Sequence, residues 1–186
     1  TWGPRTGISL VVGTVVAAFI VNLIPVSTPE ALWFILLCGI IAICAMILPG
    51  ISGAFILLIL GKYEFITATL KNPFLPQNLM IIIVFCLGCL IGLLSFSRLL
   101  NFLLTNFRQL TMAFLTGLMV GSVPKIWPWK EILETKIFRG KSHIIWGANI
   151  MPETISAEVL LALVLAVIGF IVVLIIERLA RVTESD

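Results

Sequence analysis

Mostly apolar residues in this chain fall in long blocks, at residues 8–24, 31–48, 54–70, 79–104, 110–123 and 157–176, and one long polar stretch occupies 124–156. A bilayer-crossing helix needs about 20 mostly apolar residues. The pattern therefore predicts an all-α, polytopic integral membrane protein, a single transmembrane domain over residues 1–186. Short helix-stopping strings mark the block ends. Pro25 and Ser27-Thr28-Pro29-Glu30 close the first block, Asn72-Pro73-Phe74-Leu75-Pro76 precedes the 79–104 block, and Asn106 to Arg108 divides that block from the next. Glu177, Arg178 and Arg181 close the last one.

The run from Ala31 to Leu60 carries a different kind of interruption, Leu48-Pro49-Gly50-Ile51-Ser52-Gly53. Proline removes a backbone donor and clashes with the preceding turn, and glycine admits backbone angles that other residues resist. The helix must break there. Irregular backbone at bilayer depth survives only where it is buried in protein or lines a polar cavity, and secondary transporters build substrate sites at such breaks. Residues 31–48 and 54–70 then form either a re-entrant hairpin or one broken crossing. In both cases residues 48–53 are expected to be non-helical and to face protein, which points to a translocator.

Composition narrows the function classes. Apolar residues make up 60% of the chain, charged residues 11%, and mean hydropathy is +1.19, against roughly half and a quarter in soluble domains. The net charge of +3 comes from basic residues at block ends and in one loop, which is no nucleic-acid footprint; no nucleic-acid partner is expected. Lys125, Lys130, Lys136, Arg139 and Lys141 argue instead that the long loop is cytoplasmic. Cys38, Cys44, Cys86 and Cys89 lie in apolar blocks and read as reduced packing residues. His143 lies in the polar loop and reads as solvated. Nothing calls for a metal or a cofactor, and the pattern leaves coupling to a proton or sodium ion open.

Few residues can carry chemistry. Arg98, Asn101 and Thr105 share one helical face, and an intramembrane cation is by default a functional hypothesis with an anion as its partner; the bland reading is that Arg98 snorkels to an interface. Ser52 sits between glycines that expose neighbouring amides, a geometry suited to a phosphate or carboxylate. The candidate substrate-binding set is Pro49, Gly50, Ser52, Gly53, Arg98 and Asn101, with Arg98 expected to share a cavity with Ser52. Lys62, Tyr63 and Glu64 follow the second half-helix as a candidate gate or an interface marker. Gly88-x-x-x-Gly92 and Gly117-x-x-x-Gly121 place small residues on single faces, for helix packing within the chain rather than between copies. Trp33, Trp127, Trp129 and Trp146 read as interfacial anchors. Three classes fit: a lipid translocase, a secondary transporter of a small anion or other solute, and a structural membrane subunit. With no histidine in the apolar blocks, a lipid phosphatase or similar enzyme is not expected.

Four blocks, Leu48-Pro49-Gly50-Ile51-Ser52-Gly53-Ala54-Phe55 with Leu60-Gly61-Lys62-Tyr63-Glu64, Phe96-Ser97-Arg98-Leu99-Leu100, Gly117-Leu118-Met119-Val120-Gly121-Ser122, and Ile126-Trp127-Pro128-Trp129, occur in one order. Together they resemble the second half of the undecaprenyl-phosphate (polyprenyl-phosphate) translocase family of the PopT type, long known only as a domain of unknown function. The chain departs from that family at Ala54, where many members carry Gly or a small polar residue. The resemblance implies return of undecaprenyl phosphate from the outer to the cytoplasmic leaflet of a bacterial inner membrane, with polyprenyl-phosphate lipid and membrane lipids as partners. It also implies an internally duplicated parent with one Pro-Gly-x-Ser-Gly element per half. This chain carries one, so a fragment completed by a missing first-half repeat, or by a homo-oligomer, is expected.

Overall fold

The computed structural model describes residues 3–138, 141–151 and 157–183, in two compact units, Thr1–Trp127 and Pro128–Asp186. The first unit contains six helices: α1 (Pro4–Val21), α2 (Leu32–Ile47), α3 (Gly53–Ile59), α4 (Tyr63–Lys71), α5 (Pro76–Asn106) and α6 (Arg108–Ile126). The second contains an antiparallel hairpin, β1 (Lys130–Phe138) and β2 (Lys141–Asn149), and the helix α7 (Ala157–Thr183). Three helical stretches, Pro4–Val21, Pro76–Asn106 and Val159–Leu179, are long and apolar enough to cross a membrane. Their outward surfaces carry Leu, Ile, Val and Phe, among them Leu87, Leu90, Phe170 and Ile171, as lipid-facing helices require. The protein is an all-α, multi-pass membrane protein, with the hairpin as a β insertion in its polar loop.

Local chemistry sets the ends. Pro4 and Pro76 open α1 and α5 at the first turn, where a missing N–H costs nothing. The Thr6 hydroxyl closes the start of α1 by donating to the Gly3 carbonyl at 2.6 Å and accepting from the Gly3 N–H at 2.9 Å. Helix α6 continues past the expected stop at Val123 to Ile126, with Pro124 inside its last turn. There the proline removes a single backbone bond at a fraying end.

Two parallel helix pairs form the frame, each held by glycines. On α5, a Cβ at Gly92 would lie 2.8 Å from the Ile40 carbonyl oxygen, and Gly88 backs onto the Leu36 carbonyl of α2. On α6, Gly117 abuts the Leu10 carbonyl of α1, and a Cβ at Gly121 would lie 2.8 Å from the Ala17 methyl. Both small-residue pairs therefore pack inside the chain, backbone against backbone, where no side chain fits. Ile35, Cys38, Leu118 and Ser122 are the largest fully buried side chains.

Between the pairs the chain forms a re-entrant hairpin. Helix α2 has 16 residues, about 24 Å, short of a hydrocarbon core of roughly 30 Å. After the break α3 runs back along it: Gly53 packs on Ala42 and Met46, and the Ile59 carbonyl accepts from the Val26 N–H at 2.9 Å, below the start of α2. The pattern had 54–70 as one element, but α3 and α4 meet at a 110° bend. Gly61 supplies the turn with φ +63°, because any Cβ there would strike the Val26 carbonyl.

Within the polar stretch 124–156, residues 130–138 and 141–149 pair from Lys130 opposite Asn149 to Phe138 opposite Lys141, with an irregularity around Glu134. His143 belongs to β2 and stands opposite Lys136. The polar loop expected over 124–156 thus contains a hairpin: two nine-residue runs with four isoleucines between them, separated by only two residues, are a hairpin signal.

Candidate substrate site at the re-entrant hairpin

Residues Leu48 to Ser52 are non-helical, and Gly53 already begins α3. Helix α2 leaves its last turn at Leu48 in an extended conformation, and Gly50 turns the chain with φ +85°. The turn is pressed onto α6: a Cβ on Gly50 would lie 2.6 Å from Ser122 Oγ and 2.9 Å from the Leu118 carbonyl oxygen. Gly50 thus touches α6 on one side, but Gly50 and Ser52 are exposed, so the break faces protein only in part. Leu118 lies ten residues into the 19-residue α6, about 15 Å along its axis.

Ser52 caps α3. Its Oγ accepts from the Phe55 N–H at a long 3.5 Å, and its own hydroxyl proton meets no acceptor among the described residues. The backbone N–H groups of Ser52, Gly53 and Ala54 likewise find no acceptor among them. One hydroxyl and three amides are thereby left as donors over a three-residue stretch.

All three residues line a cavity of about 550 Å³ enclosed by α2, the break, α3, α4 and α5. Its walls are Ala42, Ile43 and Met46 of α2, Leu57 of α3, Tyr63, Ile66, Thr67 and Leu70 of α4, and Phe85 and Cys89 of α5, with Ile51 at the break. The α4 contribution recurs at i, i+3, i+4 and i+7, one face of a helix. The Thr67 hydroxyl is committed to the Tyr63 and Glu64 carbonyls, at 2.8 and 3.1 Å. The cavity is an apolar trough whose free donors gather at the break.

The candidate gate residues separate. Lys62 is 2% exposed; its ammonium donates to the Thr28 carbonyl at 2.8 Å and lies 5.5 Å from the Phe65 ring centre and 6.0 Å from that of Phe34. The Thr28 hydroxyl donates to the Leu60 carbonyl at 2.5 Å. Lys62 and Thr28 thus bind the bend to the segment leading into α2. Tyr63 faces the cavity, and Glu64 is half-buried.

Arg98 and Asn101 lie elsewhere. Both are exposed on α5 and neither lines the cavity. Helix α5 runs parallel to α2 with Gly88 beside Leu36 and Gly92 beside Ile40 and Ile43. Continued upward, this register brings Arg98 level with the break. Arg98 is, however, nine residues past the cavity-lining Cys89, two and a half turns at 3.6 residues per turn, and so on the opposite side of the helix. The i, i+3, i+7 spacing correctly groups Arg98 with Asn101 and Thr105 but carries no information about which neighbour that face meets. The expectation that Arg98 shares the cavity with Ser52 is corrected accordingly.

Sequence reasoning missed the cavity wall on α4 and the α6 residues under the break. The i, i+3, i+4, i+7 pattern of Tyr63, Ile66, Thr67 and Leu70 was the available signal for the first. Lys125 was counted only as a topology marker, whereas its ammonium sits 4.6 Å from the Phe55 ring centre of α3.

The described residues thus combine helices of membrane-crossing length with a turned-back half-helix and an apolar trough whose donors gather at the turn. The family described as undecaprenyl phosphate translocase-like (VCA0040-like) matches residues 1–143, and the chain belongs to it. A polyprenyl-phosphate transporter of Vibrio cholerae is 43% identical over 179 residues, 92% of this chain and 57% of that protein. A polyprenyl-phosphate transporter of Staphylococcus aureus is 31% identical over 150 residues, 78% of this chain and 44% of that protein. The chain spans about half the length of these relatives. No solved structure matches it.

Proposed function

We propose that this chain forms part of a translocase that returns undecaprenyl phosphate, or a related polyprenyl phosphate, from the outer to the cytoplasmic leaflet of the bacterial inner membrane. The observation that carries the reading is the trough ending at Ser52, Gly53 and Ala54, whose hydroxyl and amide donors lack acceptors among the described residues. Such a site offers an apolar bed to an isoprenoid and hydrogen bonds to a phosphate. The relatives named polyprenyl-phosphate transporters support the substrate class. No covalent step is needed, so the protein works as a carrier and not as an enzyme.

In this mechanism the phosphate enters from the membrane flank and is held at the Pro49–Gly53 break while the tail stays in an apolar environment throughout. Charge-assisted bonds from N–H and O–H groups to an anion are roughly twice as strong as neutral ones, which offsets part of the cost of drawing a phosphate through hydrocarbon. Arg98 and Asn101, level with the break on the outer face of α5, form the cationic station that the phosphate meets on its way to or from the cradle. The bend at Lys62, Tyr63 and Glu64 is the gate, since it sets the position of the α4 wall.

The test follows the loss of polyprenyl phosphate from the outer leaflet of proteoliposomes containing the parent-length protein at matched amounts. Transport is expected to fall in the order wild type, Arg98→Lys, Arg98→Ala, because lysine keeps the charge but loses the two-pronged donor geometry. Ser52→Ala, which deletes one hydroxyl worth about 1.5–3 kcal/mol to an anion, should cost less than Arg98→Ala. Wild-type transport by a well-folded Arg98→Ala protein would remove Arg98 from the mechanism, and wild-type transport by Ser52→Ala and Gly53→Val together would remove the cradle.

A further inference from the structure

The size of the trough sets a limit on how much of the lipid the protein reads. At about 30 Å³ per heavy atom, a water molecule's share of its liquid, 550 Å³ accommodates about 18 heavy atoms, and with about five of them in the phosphate the remainder is two to three five-carbon isoprene units. An undecaprenyl tail is much longer. We propose that the site recognises the phosphate together with only the first two or three isoprene units, and that the rest of the tail stays in the lipid, unread. The inference rests on the function proposed above and specifies which part of that substrate confers specificity.

The walls support this division. From Ser52 the trough runs along α3 and α4 through Leu57, Ile66 and Leu70, closed behind by Met46, Ile43 and Phe85. These side chains are apolar and supply no charge, a bed suited to the hydrocarbon next to a lipid headgroup. Beyond the trough, the outer faces of α1 and α5 are exposed and apolar, like the lipid around them. A tail segment leaving the trough for those surfaces exchanges hydrocarbon for hydrocarbon, so it contributes no binding preference.

The experiment is competition against labelled undecaprenyl phosphate bound to the parent-length protein in nanodiscs, with competitors compared at equal mole fraction in the bilayer. Geranylgeranyl phosphate, with four isoprene units, is expected to compete within about threefold of unlabelled undecaprenyl phosphate, a difference below 1.4 kcal/mol. Geranylgeraniol, which lacks the phosphate, should compete at least about tenfold less well. Filling the trough by Leu57→Trp, or by Ala54→Leu at the exposed end, should weaken both phosphates in parallel by about tenfold. A geranylgeranyl phosphate more than tenfold weaker than the full-length lipid would overturn the inference, showing that distal units are read. So would a folded Leu57→Trp and a folded Ala54→Leu that both bind undecaprenyl phosphate as wild type does, since the trough would then be empty of tail. If the labelled lipid itself does not bind, the proposed function falls and takes this inference with it; if geranylgeraniol equals its phosphate, the phosphate cradle alone falls.

Discussion

Replacing Gly50 with alanine tests the break more sharply than any change to a charged residue. Two separate costs fall on that one methyl group. At φ +85° an L-residue is in the left-handed region, a penalty of roughly 1–2 kcal/mol. The added Cβ would also lie 2.6 Å from Ser122 Oγ, 2.9 Å from the Leu118 carbonyl oxygen and 3.0 Å from Met119 Cα. Two of those three atoms are backbone, and the third belongs to a hydroxyl 2% exposed that donates to the Met119 carbonyl at 2.8 Å. None can yield without moving α6, so overpacking adds about 1–3 kcal/mol. The sum is about 2–5 kcal/mol, a large part of the stability of a typical domain. Thermal unfolding in a fixed detergent, followed by circular dichroism or tryptophan fluorescence, reads this directly. Gly7→Ala is the control, because no atom lies within 4 Å of a Cβ there and alanine is the better helix former by about 0.5–1 kcal/mol. Ser122→Ala in the Gly50→Ala background should restore part of the loss, since it removes one of the three clashes and leaves the two with backbone. Were Gly50→Ala to melt with the Gly7→Ala control, the packing of the break on α6 described here would be wrong.

Two further outcomes follow from the frame. Gly117→Ala drives a methyl into the Leu10 carbonyl of α1 and should cost about 1–3 kcal/mol, read as a lower melting temperature and easier proteolysis between α1 and α2; an unchanged melting temperature would mean that α1 and α6 are not in backbone contact. Lys62→Met keeps the stem between Phe34 and Phe65 but leaves the Thr28 carbonyl without its donor, at about 1–3 kcal/mol, whereas Lys62→Ala should cost more because it also empties the space; equal melting of both variants would mean that the hydrogen bond, and not packing of the stem, holds the bend.

The crossing helices were legible because their signal is composition over many residues, which needs no knowledge of neighbours. Pro49-Gly50 was legible for a related reason: no helix can pass it. The pattern left open whether residues 31–70 cross or return, since both place apolar residues in lipid. The answer depended on Val26, Thr28 and Lys62, whose bonds to Ile59, Leu60 and the bend hold α3 at the start of α2. Long-range ties of that kind leave no local trace. The second bend, at Leu60-Gly61-Lys62, was visible as a glycine beside a lysine but was read as an interface. Helical phase explains the misplaced Arg98: spacing fixes which residues share a face, and only packing fixes where the face points.

The separation of Arg98 from Ser52 bears on how an anion could cross at this site. Residues 31–60 contain no charged side chain, and the nearest lysine in sequence, Lys62, already holds the Thr28 carbonyl between two aromatic rings. On the function proposed above, residues 48–54 would themselves offer a phosphate dipoles, with the Lys125 ammonium, 4.6 Å from the Phe55 ring centre of α3, as a full charge nearby. For a carrier, dipoles at the cradle are an advantage. A buried arginine in direct contact would hold the phosphate too tightly to release it, because a desolvated bidentate pair costs several kcal/mol to break, while uncharged donors, worth about 1.5–3 kcal/mol each to an anion, let the headgroup leave on either side. A fixed cation helps most at the approach, where it raises the local concentration of anion without trapping it. Arg98, exposed and level with the break on the far side of α5, is suited to that role. On this reasoning, moving the charge into the trough, as in Thr67→Arg, should strengthen binding of polyprenyl phosphate and slow its transport. Faster transport by that variant would show that the cradle is limited by affinity rather than by release.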